Sequence, residues 1–196
     1  MLSWLRANAA KHSIDPKRIA VWGSSAGGHL VAMLAVGGDE PELEGKVGQH
    51  LKVSSAVTCA VDYFGPTEFT EMNKFPSQID HDSKDSPESK LVGGAIQKNR
   101  AASHAASPLK YISKADAPIL IVHGSKDRLV PHNQSVIFHA ALEKAKLDST
   151  FITMTGGGHG FRSRELDARV EEFLAKHLLG KKDAKISDAS IDVSAR

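Results

Sequence analysis

Short apolar runs alternate with segments of helical periodicity along most of the chain. Runs of β-branched and aliphatic residues, each bounded by turn residues, predict buried strands at 18–22, 53–61, 118–122 and 151–154. Apolar residues at helical spacing predict helices at 2–10, 26–36, 87–97, 133–145 and 166–179. Strands that alternate with helices are typical of an α/β fold with a parallel sheet flanked by helices.

The predicted elements fit one domain with one core. The chain has 196 residues, and we assign residues 1–180 to this domain. The segment 63–117 is predicted to be a long, cap-like connection with a helix that begins after Ser86, an N-cap residue. Residues 39–52 are interpreted as a polar loop, and residues 181–196 as a polar, loosely packed tail.

Charge and cysteine content narrow the range of partners. The 25 basic and 23 acidic residues give a net charge of +2 without a basic cluster, so nucleic acid is not an expected partner. No run approaches the roughly 18 apolar residues of a membrane span, and no signal peptide is recognisable at Met1. The single Cys59 allows no intramolecular disulfide, and the sequence leaves the cellular compartment open.

The segment Gly23-Ser24-Ser25-Ala26-Gly27 carries the first chemical signal. A Gly-x-Ser-x-Gly between a strand and a helix is typical of the nucleophile elbow of α/β-hydrolases, in which a strained turn raises the central serine above the sheet. We therefore predict Ser25 as the nucleophile and expect Ser24 to turn away. Gly23 and Gly27 are expected to let strand and helix approach closely. A turn of a nucleotide-binding fold is disfavoured, because no Gly-x-Gly-x-x-Gly or Walker-type motif is present.

A serine hydroxyl needs a base to take its proton, and the base needs a third group to orient it. Asp127 follows strand 118–122, and His159 follows strand 151–154 in a glycine-rich loop. The carboxyl ends of parallel strands meet at one rim of a sheet, and the order Ser, Asp, His is that of α/β-hydrolases. We therefore predict Asp127 as the acid and His159 as the base. The rival acid, Asp62, is expected to cap a turn or line the pocket floor.

We interpret the other candidate histidines as structural or surface residues. His123 is interpreted as a hydrogen-bonded residue at the core edge, and His29 as packing below the site. The acidic segment 80–85 lacks the spacing of a calcium loop or a zinc-binding helix and is interpreted as a solvated loop. No metal or organic cofactor is expected. The histidines interpreted as surface residues are His12, His50, His81, His104, His139 and His177.

Five segments carry a closer likeness: 21–30 (VWGSSAGGHL), 61–67 (VDYFGPT), 85–91 (DSPESKL), 123–127 (HGSKD) and 158–161 (GHGF). Together they resemble bacterial carboxylesterases of the BD-FAE type, which are α/β-hydrolases grouped with feruloyl and acetyl-xylan esterases and with the hormone-sensitive-lipase-like family. The resemblance extends to about residue 179. It implies a serine esterase with Ser25, Asp127 and His159 as the triad, and an oxyanion hole that uses the backbone N–H of Ala26.

The chain departs from this family at its start. Family members begin with a half-sheet that carries a His-Gly-Gly loop, the source of a second oxyanion donor, and this chain has no such loop. From average element lengths, roughly 70–100 residues are missing, so we expect the C-terminal part of the fold only. Strand 18–22 is then expected at the sheet edge, where unpaired backbone groups favour a homo-oligomer.

The expected function is that of a serine carboxylesterase that hydrolyses a small ester through an acyl-enzyme. Apolar residues of the connection are predicted to line its substrate pocket, with simple core packing as the alternative. An arylformamidase-type amidohydrolase with the same triad stays open, as does a binding module whose catalysis is lost with the oxyanion loop. The predicted pocket residues are Phe64, Phe69, Met72 and Phe75.

Overall fold

The fold is a parallel sheet with helices on both faces. The computed structural model describes residues 1–38 and 40–194. Within them, the strands pair in chain order as β1 (Ala20–Ser24), β2 (Cys59–Tyr63), β3 (Ile119–Gly124), β4 (Ser149–Thr155) and β5 (Ile191–Asp192). The helices are α1 (Leu2–Ala7), α2 (Ala26–Val36), α3 (Pro41–Glu44), α4 (Pro87–Val92), α5 (Arg100–Ala105), α6 (Asn133–Lys144) and α7 (Arg164–Leu179). The predicted parallel α/β architecture is confirmed.

The core lies on the two faces of β2 and β3, the most buried strands. The apolar stripe of α7 covers one face, and α2 and α6 cover the other. A fully buried aliphatic or aromatic side chain contributes about 1.5–3 kcal/mol relative to its exposed state, so these layers hold the rim of the sheet rigidly. The helix residues that carry the two layers are Leu166, Val170 and Phe173 on one face, and Ala32, Ala35, Phe138 and Leu142 on the other.

The first two strands begin and end later in the chain than the apolar runs predict. Strand β1 begins at Ala20 rather than at residue 18 and continues through Ser24, which pairs with Tyr63. Strand β2 begins only at Cys59, six residues after the predicted start at 53. The guanidinium of Arg6 donates hydrogen bonds to carbonyls of residues 54–56, so this part of the apolar run packs as irregular chain.

The edge position predicted for strand 18–22 is confirmed for β1, which pairs with β2 alone among the described strands. The homo-oligomer inferred from that edge stays a prediction. None of the helices in the described ranges is long and apolar enough to cross a membrane.

The C-terminal segment is not the loosely packed tail that its polarity predicts. Ile191 is buried, and β5 pairs in parallel with the end of β4. The guanidinium of Arg169, on α7, donates a hydrogen bond to the carbonyl of Ser187 at 3.1 Å. Only three of the last eleven described residues have a large aliphatic side chain, which is too weak a pattern to predict a strand. Residues 195 and 196 of this segment lie outside the described residues.

The connection between β2 and β3 is built from short helices around a small core of its own. Ser86 Oγ accepts a hydrogen bond from the Ser89 N–H at 3.1 Å, so the predicted N-cap of α4 is confirmed. The helix ends at Val92, earlier than predicted, because Gly93 takes a left-handed conformation with φ +77°. The predicted loop 39–52 contains the short helix α3, and its residue 39 lies outside the described residues.

Candidate active site

Ser25 occupies a sharp turn between β1 and α2. Its φ is +56° and its ψ −122°, a conformation that costs free energy for any residue with a Cβ atom. The turn is held on both sides, because the Ser25 N–H donates to Tyr63 O at 2.9 Å and the His29 N–H donates to Ser25 O at 3.0 Å. Ser24 is the last residue of β1 and is exposed.

Three glycines around this turn have different roles. A Cβ atom at Gly23 would overlap the carbonyl of Gly27, so the predicted close approach on the strand side is confirmed. A Cβ atom at Gly27 would meet open space, so the prediction for that residue is wrong. The close approach on the helix side lies at Gly28, where a Cβ atom would overlap Asp62 and Gly65. This packing joins residues far apart in sequence and has no local signature.

The structure brings Ser25, His159 and Asp127 into one hydrogen-bonded chain. His159 Nε2 lies 2.9 Å from Ser25 Oγ, and His159 Nδ1 lies 2.7 Å from Asp127 Oδ2. An ionised carboxylate only accepts hydrogen bonds, so Nδ1 carries the imidazole proton and the Nε2 lone pair faces the serine hydroxyl. The arrangement can therefore remove a proton from Ser25 and stabilise the imidazolium that forms.

Asp127 is held by donors on both carboxylate oxygens. Its Oδ1 accepts from the backbone N–H groups of Leu129 at 2.8 Å and Val130 at 3.0 Å. Its Oδ2 accepts from His159 and lies 3.3 Å from Nε2 of the buried His123. Burial raises the pKa of this carboxyl, but the hydrogen bonds from His123, His159 and the backbone outweigh burial and hold the pKa well below its usual range.

The rival acid, Asp62, lies at the end of β2 and is also fully buried. Its Oδ1 accepts a hydrogen bond from the Gly65 N–H at 2.9 Å, so it caps the turn at 62–65, one of the two roles predicted for it. Its Oδ2 has no hydrogen-bond partner among the described residues. Burial raises the pKa of Asp62 to about 7. The hydrogen bond from Gly65 lowers the pKa, but by less than burial raises it. His159 hydrogen-bonds to Asp127 and makes no hydrogen bond to Asp62.

The loop that carries His159 is docked by backbone contacts. The Lys126 N–H donates to Gly157 O at 2.8 Å, and the Gly156 N–H donates to Ser125 Oγ at 2.9 Å. A Cβ atom at Gly124 would clash with the carbonyl of Gly157, so the last residue of β3 must be glycine for this loop to approach. The loops of Asp127 and His159 therefore position one another.

Aromatic rings cover one side of the site. The Phe64 ring centroid lies 4.5 Å from that of His159, and Phe64 has a φ of +46°. Phe161 packs edge-on against Phe64 at 5.5 Å, and Tyr63 packs against Phe161 at 5.6 Å. Phe161 and Tyr63 lie in two of the segments that carry the family likeness, but no pattern in the sequence predicts that their rings pack together beside the site.

The other predicted pocket residues lie elsewhere. Phe69 and Met72 are fully buried in a cluster with Ile96 and Val130, and this burial favours the core-packing alternative for both. Phe75 is 38% exposed and makes no ring contact with His159. Among the four residues, Phe64 is the one whose ring contacts the hydrogen-bonded chain.

His81 is not the surface residue predicted. It is fully buried, with Nδ1 3.0 Å from Glu88 Oε2 and Nε2 3.1 Å from Leu129 O. The segment 80–85 is therefore not a fully solvated loop. Its residue His81 is held in the interior by the buried carboxylate of Glu88, on α4, seven residues later in the chain. No group of three or more His, Cys, Asp or Glu side chains among residues 1–38 and 40–194 could hold a metal ion.

The structure agrees with some of the remaining histidine predictions, but three of the histidines predicted at the surface are partly buried. His123 is buried and hydrogen-bonded at the end of β3, as predicted. His29 is buried on α2, with Nε2 2.7 Å from Ala106 O. His12 and His104 are exposed, as predicted, whereas His50, His139 and His177 are partly buried.

Known proteins resemble this chain in both sequence and structure. The sequence model of the BD-FAE family matches residues 1–142. The chain is 29% identical to esterase LipQ of Mycobacterium tuberculosis over 180 residues, which covers 88% of this chain and 41% of LipQ. A truncated form of a carbohydrate esterase from gut microbiota superposes with a TM-score of 0.81 at 32% identity, covering 91% of this chain and 66% of the other.

A third relative is a thermophilic esterase from Thermogutta terrifontis, Est2, with a TM-score of 0.69 and 26% identity, covering 93% of this chain and 64% of the other. The chain spans less than half the length of LipQ. The likeness to solved esterases shows the α/β-hydrolase fold, as the resemblance implies. Because the family model matches well over half of its length, the chain belongs to the BD-FAE family.

Proposed function

We propose that the chain carries the catalytic residues of a serine carboxylesterase that acts on small esters. The observation that carries this proposal is the hydrogen-bonded chain from Ser25 through His159 to Asp127. The strained conformation of Ser25 supports it, because backbone strain of this kind concentrates at functional residues. Relatives named as esterases support the same reaction class.

In the proposed reaction, Ser25 Oγ attacks the acyl carbon while His159 Nε2 takes the hydroxyl proton. The carbonyl oxygen becomes an oxyanion, which accepts a hydrogen bond from the Ala26 N–H at the start of α2. When the C–O bond to the alcohol breaks, His159 returns the proton to the leaving oxygen and an acyl-serine ester remains. Water then attacks this ester with His159 as base, and the carboxylic acid leaves.

Asp127 has an electrostatic part in this cycle. Its carboxylate stays ionised over the range in which esterases are assayed, because its pKa lies well below the usual value. It therefore orients His159 by accepting the Nδ1–H and offsets the positive charge that His159 gains when it takes the serine proton. The Phe64 ring packs against the imidazole of His159, so it shields that ring from water and limits the ring's motion.

The substrate class rests on the relatives, because the same triad also serves amidohydrolases. LipQ is named an esterase, and the similar gut-microbiota protein is named a carbohydrate esterase. Acetylated sugars are therefore the first natural esters to test, and p-nitrophenyl acetate is the simplest reporter. No residue of the site distinguishes one small acyl group from another.

The direct test is covalent labelling with a fluorophosphonate, which needs an activated serine but no turnover. Wild-type protein should become labelled at Ser25, and Ser25→Ala should abolish both labelling and hydrolysis of p-nitrophenyl acetate. Ser24→Ala is the matched control, because Ser24 is exposed one residue away and outside the hydrogen-bonded chain. Labelling that survives Ser25→Ala, or equal losses in the two variants, would contradict the assignment.

A further inference from the structure

A second buried histidine contacts the acid of the proposed triad. His123 ends the apolar part of β3, and its side chain is fully buried. Its Nδ1 lies 2.7 Å from Ser135 Oγ, on the first turn of α6. Its Nε2 lies 3.0 Å from Val130 O and 3.3 Å from Asp127 Oδ2. The ring therefore has partners on both nitrogens in a site without solvent.

These partners select one tautomer. A backbone carbonyl only accepts hydrogen bonds, and the carboxylate of Asp127 is ionised, so Nε2 of His123 must carry a proton. In the neutral ring, Nδ1 is then an acceptor, and the hydroxyl of Ser135 donates to it. The opposite tautomer would direct the Nε2 lone pair at two oxygens, which is repulsive in a buried site.

In the selected tautomer, the Nε2–H of His123 hydrogen-bonds to Val130 O and also lies close to Asp127 Oδ2, with 3.3 Å between the nitrogen and the oxygen. The Oδ2 of Asp127 accepts a short bond from His159 and faces the Nε2–H of His123 at longer range. Its Oδ1 is already held by two backbone N–H groups, from Leu129 and Val130. With donors on both oxygens, the carboxylate is prevented from rotating away from His159.

The surroundings of His123 add no competing charge. The ring of His132 packs against it with centroids 5.4 Å apart. Burial lowers the pKa of His132 to about 4, so His132 is neutral where esterases are assayed. Phe64 packs edge-on against His123 at 6.2 Å. Asp127 is therefore the charged group that the ring contacts.

We propose that His123 is a positioning residue for the reaction proposed above, and that Ser135 fixes it as the Nε2–H tautomer so that it locks the Asp127 carboxylate toward His159. This inference rests on the proposed function, because a locked acid matters only if His159 acts as the base. His123 itself does not touch substrate, since it is fully buried behind Asp127.

The test combines nuclear magnetic resonance with labelling rates. Nitrogen chemical shifts should show His123 of the wild-type protein as the neutral Nε2–H tautomer. In His123→Phe, the low-field proton resonance of the His159 Nδ1–H should move upfield, because the carboxylate that accepts this proton is no longer held in place. The fluorophosphonate labelling rate should fall about ten- to a hundredfold, the size of effect expected when a catalytic group is misplaced. The acid limb of the pH profile of labelling should move to lower pH, because a carboxylate that has rotated away stabilises the imidazolium of His159 less.

Three further variants separate positioning from a merely structural role. His123→Gln places an amide N–H₂ where Nε2 lies and should recover most of the labelling rate. Ser135→Ala leaves the ring in place but frees its tautomer, so it should shift the His159 resonance in the same direction by less, and it serves as the main test if His123→Phe does not fold. His139→Phe is the matched control, because this partly buried ring on α6 contacts Phe151 and not Asp127, and it should change neither readout.

Failure of the role proposed for His123 can be distinguished from failure of the proposed function. A His123 ring that is charged or carries its proton on Nδ1 alone would overturn the proposal, as would His123→Phe or Ser135→Ala variants that fold but leave the His159 resonance and the pH profile unchanged. Absence of labelling in the wild-type protein would instead overturn the proposed function. The tautomer and the His159 resonance would still decide whether His123 holds the carboxylate.

Discussion

Asp62 and Asp127 are two buried carboxyl groups at the ends of neighbouring strands, and their electrostatics are opposite. Among the described residues, Asp62 has one hydrogen-bond donor, the Gly65 N–H, and burial raises its pKa to about 7. Asp127 faces four donors, two from the backbone and two from imidazoles, and its pKa lies well below the usual value. Burial raises the pKa of both carboxyls. The number of N–H groups directed at each one decides which is charged.

The difference supports the role proposed for each carboxyl. An acid that orients a histidine and offsets its charge must be ionised before the serine gives up its proton, which fits Asp127. A structural role fits Asp62, because its pKa is raised and one of its oxygens has no hydrogen-bond partner among the described residues. It lies in the turn at 62–65, which packs against Gly28 of α2, close to Ser25. Three substitutions test this contrast, starting with the largest expected effect.

Asp127→Asn should reduce the rates of labelling and hydrolysis by about 10³- to 10⁴-fold, the loss typical of a triad acid replaced by its amide. The amide places an uncharged group beside His159 and favours the wrong imidazole tautomer. Rates of fluorophosphonate labelling and p-nitrophenyl acetate hydrolysis measure the effect. Asp62→Asn is the control and should retain most of the wild-type rates. A greater loss in Asp62→Asn, with the fold intact, would exchange the two roles.

Asp62→Asn should change the pH dependence of folding rather than catalysis. The pKa of Asp62 is raised from an unfolded value of 3.8 to about 7, so its contribution to stability is present below about pH 4 and is lost as pH rises through 7. The free energy of unfolding of the wild-type protein, relative to the variant, should fall by up to about 4 kcal/mol between pH 4 and 8. Urea unfolding at a series of pH values measures this difference. A constant difference would mean that Asp62 is ionised throughout.

Gly28→Ala should lower the free energy of unfolding by about 1–3 kcal/mol, the usual cost of overpacking. The added methyl group would be forced into the Asp62 turn at Gly65. Gly27→Ala is the matched control on the same helix, because its methyl group meets open space, and alanine favours a helix over glycine by about 1 kcal/mol. Urea titrations of both variants provide the comparison. Equal effects would show that α2 and the turn can move apart.

Local patterns predict the parts of the site that local chemistry builds. The elbow and α2 follow from glycines, a serine and a helical stripe within fourteen residues. The order and strand-end positions of Asp127 and His159 follow from the rule that parallel strands share a rim. What the sequence could not predict depends on contacts between distant segments. His81 is buried only because Glu88 and Leu129 O supply partners, and an apolar loop residue such as Phe69 looks the same in a pocket and in a core.

The short strand β5 has a practical consequence for anyone who works with this chain. Ser194 packs against Gly156, three residues before His159, and the Val193 N–H donates to Thr155 O at 2.9 Å. A bulky affinity tag or fusion partner joined directly after Ser194 would therefore begin close to the backbone that sets the position of the imidazole. A fluorophore attached near residue 190 would instead lie close to that loop, so β5 offers a labelling position outside the proposed triad from which inhibitor binding could be followed.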